Sequence, residues 1–327
     1  MDRIDRAKGC LVGGAIGDAL GYPVELMKED EIFSKYGESG ITEYELDNGI
    51  AHFSDDTQMT LFTADGLILS NYDELKSIKT CYLDWMKTQM GGTCETTEGY
   101  SRMTEVPELF ASREPGRTCM LELLSGGRGT IEMPMNNSKG CCGLTRVAPV
   151  GLYRKNGNVN AATLLAAQSA AITHGHELGY MSAAALVAIV RFIAFNEMSI
   201  ESSVKASESV INNVFKSSEH AKELIDLMEL AIELSKEDMD DLEAIHKLGE
   251  GWVAEETLAI AIYCSLKYEY DLEKAVIASV NHGGDSDSTG TVTGNIIGAS
   301  LGFDAIPDKF KENLELIDLI CETAEEL

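Results

Sequence analysis

The stretches GCLVGGAIGDALG (residues 9–21) and GTVTGNIIGASLG (residues 290–302) each carry a glycine at every fourth position. At this spacing the glycines form a bare stripe along one face of a helix. Glycine costs about 1 kcal/mol relative to alanine in a helix interior, so four in register need a compensating contact. A stripe without side chains lets another backbone approach closely. We therefore expect both helices at the centre of a bundle, where packing against each other would unite the chain's two ends.

Apolar residues recur at spacings of three and four through most of the chain, which is typical of amphipathic helices. The predicted helices are 3–20, 56–70, 73–89, 159–172, 180–196, 201–216, 219–235, 253–268, 271–281 and 288–301. Loops are expected at 22–55, 90–118 and 125–150, where Gly, Pro, Asn and Ser gather. No change in composition marks a linker. The sequence thus predicts an all-α protein with one domain over residues 1–327.

The net charge of −28 argues against nucleic acid or an anionic membrane as a direct partner. No segment reaches the roughly 18 to 20 apolar residues of a membrane span, and the first residues lack a signal-peptide pattern. The eight cysteines contain no CxxC pair. This usage is typical of reduced thiols, so we expect a cytoplasmic protein, and a monomer.

Two acidic clusters, FSDDT (53–57) and NHGGDSDSTG (281–290), each precede a predicted helix. One interpretation is helix capping, because Ser and Asp side chains accept hydrogen bonds from the first free amides. Residues 285–290 also match the start of a calcium-binding EF-hand loop. That loop needs a glutamate at its twelfth position, where this chain has Ile296, so the EF-hand interpretation fails.

Capping uses one side chain per helix, whereas each cluster offers three or four oxygen-bearing residues. Crowded carboxylates repel one another unless a cation holds them, and hard oxygen ligands favour Mg²⁺, Mn²⁺ or Ca²⁺ over zinc. Two aspartates and a hydroxyl from each end of the chain would suit a pair of such ions. Taken together, the clusters predict a shared metal site.

The chain resembles the ADP-ribosylglycohydrolase superfamily through six motifs in the family's order. They are GCLVGGAIGDALGYPVE (9–25), SDDTQM (54–59), SKGCCGLTRVAPVG (138–151), THGH (173–176), GWVAEETLAIA (251–261) and GGDSDSTGTVTGNIIGA (283–299). The resemblance implies a single-domain orthogonal helical bundle around a central site for two divalent cations, Mg²⁺ or Mn²⁺. It also implies hydrolysis of the bond between ADP-ribose and an acceptor. The metal ligands that it implies are Ser54, Asp55, Asp56, Asp285, Asp287 and Ser288.

The resemblance further implies residues that bind the substrate. The loop Ser138, Lys139, Gly140 and Cys141 matches the family segment whose backbone amides hold the pyrophosphate, as successive amides can hold an anion. A plain glycine turn is the alternative. Gly140 is expected to adopt the positive φ that such loops commonly need. His174 matches a ligand-contacting histidine, with a structural histidine as the alternative.

Glu25 matches a glutamate that lies over the metals in some family members. Glu25, Asp55 or Asp56 would then serve as acid or base, and the sequence leaves this choice open. Asp18 is expected to be a structural hydrogen-bonding residue.

The implied partner is an ADP-ribosylated protein or a small ADP-ribose conjugate. Arginine is the favoured acceptor, because most bacterial chains of this appearance resemble arginine-specific members. Serine, a nucleic-acid end or a small molecule is the alternative acceptor. Three rival functions also stay open: a metal-dependent phosphoanhydride hydrolase, a non-enzymatic crystallin-like descendant of the fold, and a macrodomain-like binding module.

Overall fold

Helices dominate the computed structural model, which describes residues 1–327 apart from the side chain of Asn156. The α-helices are α1 (Arg3–Gly21), α2 (Glu29–Tyr36), α3 (Asp55–Ile68), α4 (Glu74–Gln89), α5 (Arg117–Leu124), α6 (Cys142–Thr145), α7 (Ala148–Leu152), α8 (Val159–Ala171), α9 (Glu177–Asn196), α10 (Ile200–Val214), α11 (Ala221–Leu234), α12 (Asp241–Leu248), α13 (Ala254–Lys267), α14 (Leu272–Val280), α15 (Ser286–Leu301), α16 (Asp308–Lys311) and α17 (Ile317–Glu326). Within the described residues β-pairing is limited to three isolated bridges. The prediction of an all-α fold is confirmed.

The two glycine-striped helices, α1 and α15, pack directly against each other. A Cβ atom added at Gly9 would lie 2.3 Å from the carbonyl oxygen of Gly298, and one at Gly17 would lie 1.9 Å from that of Gly290. Because the first residues of one helix face the last residues of the other, the helices run antiparallel. The glycines therefore permit a contact of backbone on backbone, and the predicted union of the chain's two ends is confirmed.

This pairing places the end of α1 beside the start of α15. A Cβ at Gly21 would lie 2.4 Å from the carbonyl oxygen of Ser286. The start of α3 joins them through Asp18, whose buried carboxylate accepts hydrogen bonds from the amides of Ser54 (2.8 Å) and Thr57 (2.9 Å). Asp18 thus satisfies free amides of α3, which is the structural role expected from the sequence.

Helix α9 forms the apolar centre of the remaining bundle. Its length and mean hydropathy of 1.9 would suffice for a membrane span, but 89% of its most apolar window is buried inside the protein. Its alanine and β-branched side chains pack against α8, α10 and α13. It has the character of a core helix.

The ten predicted helices are all present, with ends within three residues of the predicted ones. Seven further helices are not predicted from the sequence. They are α2, α5, α6, α7, α12, α16 and α17, each of ten residues or fewer. A helix this short shows too few turns for its apolar period to stand out.

Candidate metal centre

The two acidic clusters lie side by side at the starts of α3 and α15. Asp55, Asp56, Asp285 and Asp287 are all buried, the most exposed being Asp55 at 6%. The hydroxyl of Ser288 donates a hydrogen bond of 2.9 Å to Asp56 Oδ2, across 232 positions of sequence. The structure therefore assembles one carboxylate cluster from both ends of the chain.

Helix capping does not account for this cluster. At α3 the cap is supplied by Ser54, whose hydroxyl accepts from the amide of Asp56 at 3.2 Å. At α15 the residue in the capping position, Asp285, accepts no capping hydrogen bond from the helix. Asp55 instead accepts from the amide of Gly116 at 3.1 Å. At least three carboxylates are thus surplus to the needs of the helix ends.

The four aspartates lack a compensating base. In the described part of the chain no lysine, arginine or histidine forms an ion pair with any of them. Burial, followed by the neighbouring carboxylates, raises the pKa of Asp55 well above its usual range, and burial likewise raises the pKa of Asp285 to about 7. An unpaired buried charge costs several kcal/mol. The cluster therefore needs either bound protons or bound cations.

The chemistry of the donors fits hard divalent cations. Every donor is oxygen, as Mg²⁺ and Mn²⁺ prefer. Within the described residues no three of these carboxylates bring oxygen atoms within 4.8 Å of one another. The hydroxyls of Ser54 and Ser288, at the same two helix starts, are further oxygen donors beside the carboxylates. Both hydroxyls are buried among the carboxylates.

A cavity of about 220 Å³ opens over the carboxylate cluster. The side chains and backbone that line it are those of Glu25, Asp55, Asp56, Glu114, Gly116, Arg117, Thr118, Gly140, Cys141, Cys142, His174, Trp252, Asp285, Asp287 and Ser288. The cavity thus holds predicted metal, catalytic and substrate-binding residues together.

Glu25 lies between this cavity and a second one of about 500 Å³, which it also lines. Burial raises the pKa of Glu25 to about 8, with further contributions from Asp287, Glu114 and Asp18. Near neutral pH such a carboxyl can either hold or accept a proton.

The loop of residues 138–141 reaches the cavity with its second half only. Gly140 and Cys141 line it, and the Cys141 thiol donates to Asp285 Oδ2 at 2.7 Å. Lys139 instead forms an ion pair with Glu255 and faces a different cavity. The hydroxyl of Ser138 accepts a hydrogen bond of 3.4 Å from the backbone amide of Gly140. Neither Ser138 nor Lys139 lines the cavity over the aspartates.

The expectation of a positive φ at Gly140 is wrong. Gly140 does not belong to the glycines with positive φ in the described chain. Its lack of a side chain matters for a different reason, because a Cβ there would lie 3.2 Å from Nε2 of His174. The close approach of loop and imidazole, rather than backbone conformation, favours glycine here.

His174 is 1% exposed, yet its ring borders the cavity. Its Nδ1 lies 2.8 Å from the hydroxyl of Thr173, which accepts a hydrogen bond of 2.6 Å from Arg146. Burial, together with Arg146, lowers the pKa of His174 to about 3. The imidazole is therefore neutral and can donate or accept one hydrogen bond to a ligand.

Several residues that line the cavity are not predicted from the sequence. They are Glu114, Gly116, Arg117 and Thr118, and they belong to a segment that is predicted as a loop and carries no motif. Trp252 does lie in one of the six quoted motifs, so its presence could have been anticipated. Arg117 adds an exposed cationic side chain to an otherwise acidic opening.

The chain is similar in sequence to known proteins. A sequence model described as ADP-ribosylglycohydrolase matches residues 1–327. Mouse ADP-ribosylhydrolase ARH3 is 25% identical, and the alignment covers 95% of this chain and 88% of the mouse protein. ADP-ribosylarginine hydrolase Tri1 of Serratia proteamaculans is 22% identical, with 100% of this chain and 80% of the relative covered.

The fold is also similar to that of a solved structure titled ADP-ribosylglycohydrolase-related protein complex. The TM-score is 0.66, with 22% sequence identity, and the superposition covers 99% of this chain and 97% of the other. Since the similarity spans nearly the whole of both chains, the two share one overall fold.

Proposed function

The chain belongs to the ADP-ribosylglycohydrolase family, and on that premise we propose that it hydrolyses the bond between ADP-ribose and an acceptor with the help of two divalent cations. The favoured acceptor is an arginine side chain on a protein. The observation that carries the proposal is the cluster of four buried, unpaired aspartates beneath a cavity. An uncompensated cluster of this kind is costly, and cation binding supplies the compensation.

The cations would be held by the six oxygen-bearing residues at the starts of α3 and α15. These are Ser54, Asp55, Asp56, Asp285, Asp287 and Ser288. When bound, such ions supply positive charge that orients hydroxyl groups and lowers the pKa of water. The chain's own contribution is to hold the aspartates in place. Asp56, for example, accepts hydrogen bonds from the hydroxyls of Thr145 and Ser288.

Glu25 is the residue that we assign to proton transfer. Asp55 and Asp56 are fixed by hydrogen bonds and needed as ligands, whereas Glu25 lines the cavity without such a partner in the described hydrogen-bond network. Cleavage of a glycosidic bond has oxocarbenium character and needs a base for the attacking water. In the cation-free protein, burial and the neighbouring carboxylates raise the pKa of Glu25 to about 8. Bound cations would lower this pKa and so favour the ionised carboxylate that a base requires.

The diphosphate would lie against the backbone of Gly140 and Cys141. These residues line the cavity beside the neutral ring of His174, and Arg117 stands at its opening. In a protein of net charge −28, an anionic ligand needs such local donors. Of the predicted binding loop, we assign direct contact only to this second half, while Ser138 and Lys139 hold the loop's shape.

The acceptor would occupy the second cavity, which shares Glu25 and Glu114 with the first. Glu45 and Asp47 also line it, together with His52, and Lys35 forms an ion pair with Glu45, so carboxyl groups outnumber the basic groups of the lining. A guanidinium group suits such a surface better than a neutral serine does. The similarity to a relative named ADP-ribosylarginine hydrolase supports the same acceptor.

The test is to incubate the protein with arginine-, serine- and nucleic-acid-linked ADP-ribose, with and without Mg²⁺ or Mn²⁺, and to identify the products by mass. We expect cation-dependent release of intact ADP-ribose and unmodified arginine. Release of AMP would indicate a phosphoanhydride hydrolase instead. Absence of turnover with every substrate would favour the crystallin-like alternative. Asp287→Asn should abolish release, and Asp226→Asn, on the exposed face of α11, serves as the matched control.

A further inference from the structure

A second group of possible metal ligands lies beside the carboxylate cluster. This group consists of Cys119, Cys142 and His174, each of which brings one ligand atom within 4.8 Å of the other two. Among the described residues, no other three Asp, Glu, Cys or His side chains bring ligand atoms this close together. They come from α5, from the first residue of α6 and from the turn between α8 and α9. The fold, rather than any local motif, assembles them.

The donors of this group differ in kind from the neighbouring aspartates. Two sulfur atoms and an imidazole nitrogen select zinc-like, thiophilic cations over Mg²⁺ or Mn²⁺. In a tetrahedral zinc site with bonds of about 2.0–2.3 Å, ligand atoms lie roughly 3.5–4 Å apart. The present separations, which are at most 4.8 Å, therefore need to shrink by no more than about 1.3 Å, which is within the reach of side-chain rotation.

The surroundings leave room for these donors. A Cβ at Gly116 would lie 2.6 Å from the Cys142 sulfur, and a Cβ at Gly143 would lie 3.2 Å from Nδ1 of His174. Thr173, at 2.8 Å from the same nitrogen, fixes the orientation of the ring. Two glycines and a hydroxyl thus shape the space around Cys142 and His174.

Arg146 provides electrostatic support for an anionic sulfur. Its guanidinium donates to the Cys119 sulfur at 3.2 Å, in the fully buried interior. The contact with Cys142 and burial raise the pKa of the Cys119 thiol well above its usual range, and the hydrogen bond from the Arg146 cation partly offsets them. Because two thiolates neutralise a divalent cation, the guanidinium does not have to face a net positive centre.

We propose that Cys119, Cys142 and His174 form a binding site for a thiophilic divalent cation of the Zn²⁺ or Cd²⁺ class, with its fourth position open to the cavity. On binding, each thiol transfers one proton to solvent, the cation gains two sulfur bonds and one nitrogen bond, and no oxidant is required. His174 and Cys142 also line the cavity proposed for ADP-ribose. A bound cation would therefore exclude that ligand, a consequence that rests on the proposed function.

The test is a titration of the full-length protein with Cd²⁺ in excess Mg²⁺, followed by calorimetry and by the ultraviolet charge-transfer absorption of cadmium thiolates. We expect one Cd²⁺ per chain, proton release and the thiolate band. All three should be lost in Cys142→Ser and retained in Cys321→Ser, a partly exposed cysteine on α17 that serves as the matched control. Equal Cd²⁺ binding in Cys142→Ser would overturn the proposal.

Two further measurements complete the design. In the parent protein, Cd²⁺ should protect Cys142 from alkylation, measured by peptide mass. An unprotected Cys142 would overturn the site even if Cys142→Ser fails to fold. Cd²⁺ should also weaken ADP-ribose binding by about tenfold or more. If Cd²⁺ binds through the thiols but ADP-ribose affinity is unchanged, the cation site stands and the placement of ADP-ribose is wrong.

Discussion

Gly17→Ala is the substitution that tests the packing of α1 on α15 most sharply. The added methyl carbon would lie 1.9 Å from the carbonyl oxygen and 2.2 Å from the carbonyl carbon of Gly290. Ordinary van der Waals contact begins near 3.4 Å. The helices would therefore have to separate by about 1.5 Å, which is the difference between 3.4 Å and the 1.9 Å to the carbonyl oxygen. No rotamer change relieves the clash, because both partners are backbone.

Two effects of opposite sign compete in this variant. Helix propensity alone would make alanine more favourable than glycine by about 1 kcal/mol. Overpacking of a close contact costs about 1–3 kcal/mol or more. Separation of the helices would also loosen the neighbouring contacts of Gly13 with Gly294 and of Gly9 with Gly298. The free energy of unfolding should therefore fall by about 1–3 kcal/mol or more.

The assay is urea denaturation of the cation-free protein, with the unfolding midpoint and slope compared between variants. Asn160→Ala, at an exposed position of α8, serves as a control for the effect of alanine on a helix without a clash. It should leave stability unchanged or slightly raised. A Gly17→Ala protein as stable as the parent, or more stable, would refute the close backbone contact and with it the route by which the two acidic clusters meet.

Four further predictions concern the site. Asp55→Ala and Asp287→Ala should each abolish Mg²⁺-dependent hydrolysis with circular dichroism unchanged, and near-normal activity in either at limiting Mg²⁺ would contradict the shared site. Glu25→Gln should preserve ADP-ribose affinity and slow turnover; a parallel loss of affinity would speak against acid–base function. Gly140→Val should weaken ADP-ribose binding in calorimetry, because a side chain there displaces His174, and unchanged affinity would remove the loop from the ligand site. Since the pKa of Glu25 rises from 4.5 to about 8 on folding, the folded state binds more protons, so the stability of the cation-free protein should fall as pH rises through this interval. A flat or rising stability curve would contradict the buried, proton-holding carboxyl.

The features that could be read from the sequence share one property: they are periodic or densely clustered. Glycines at every fourth position predict close helix packing, and acids within four residues of one another predict cation binding. Both predictions depend only on the local sequence. The glycine stripes then determine which chain ends meet, because only two such stripes can approach as closely as Gly17 and Gly290 do.

The features that could not be read depend on where loops run in three dimensions. Gly116 reaches the cluster through a hydrogen bond that its backbone amide donates to Asp55 Oδ2. Cys119 lies close to Cys142 only because the fold brings α5 and α6 together. Nothing in either segment predicts those contacts. The same holds for Gly140, where the requirement for glycine comes from His174, a neighbour 34 positions away, and not from the local backbone.

Whether residues from both ends of the chain form one metal site can be tested most directly by locating Mn²⁺ from its anomalous scattering in crystals of the protein. We predict two Mn²⁺ ions between the start of α3 and the start of α15, each with oxygen ligands drawn from residues 54–56 and 285–288, and both lost in Asp56→Asn. Full occupancy of Mn²⁺ elsewhere, or hydrolysis of ADP-ribosyl-arginine by crystals that show no ion between these helices, would contradict the account.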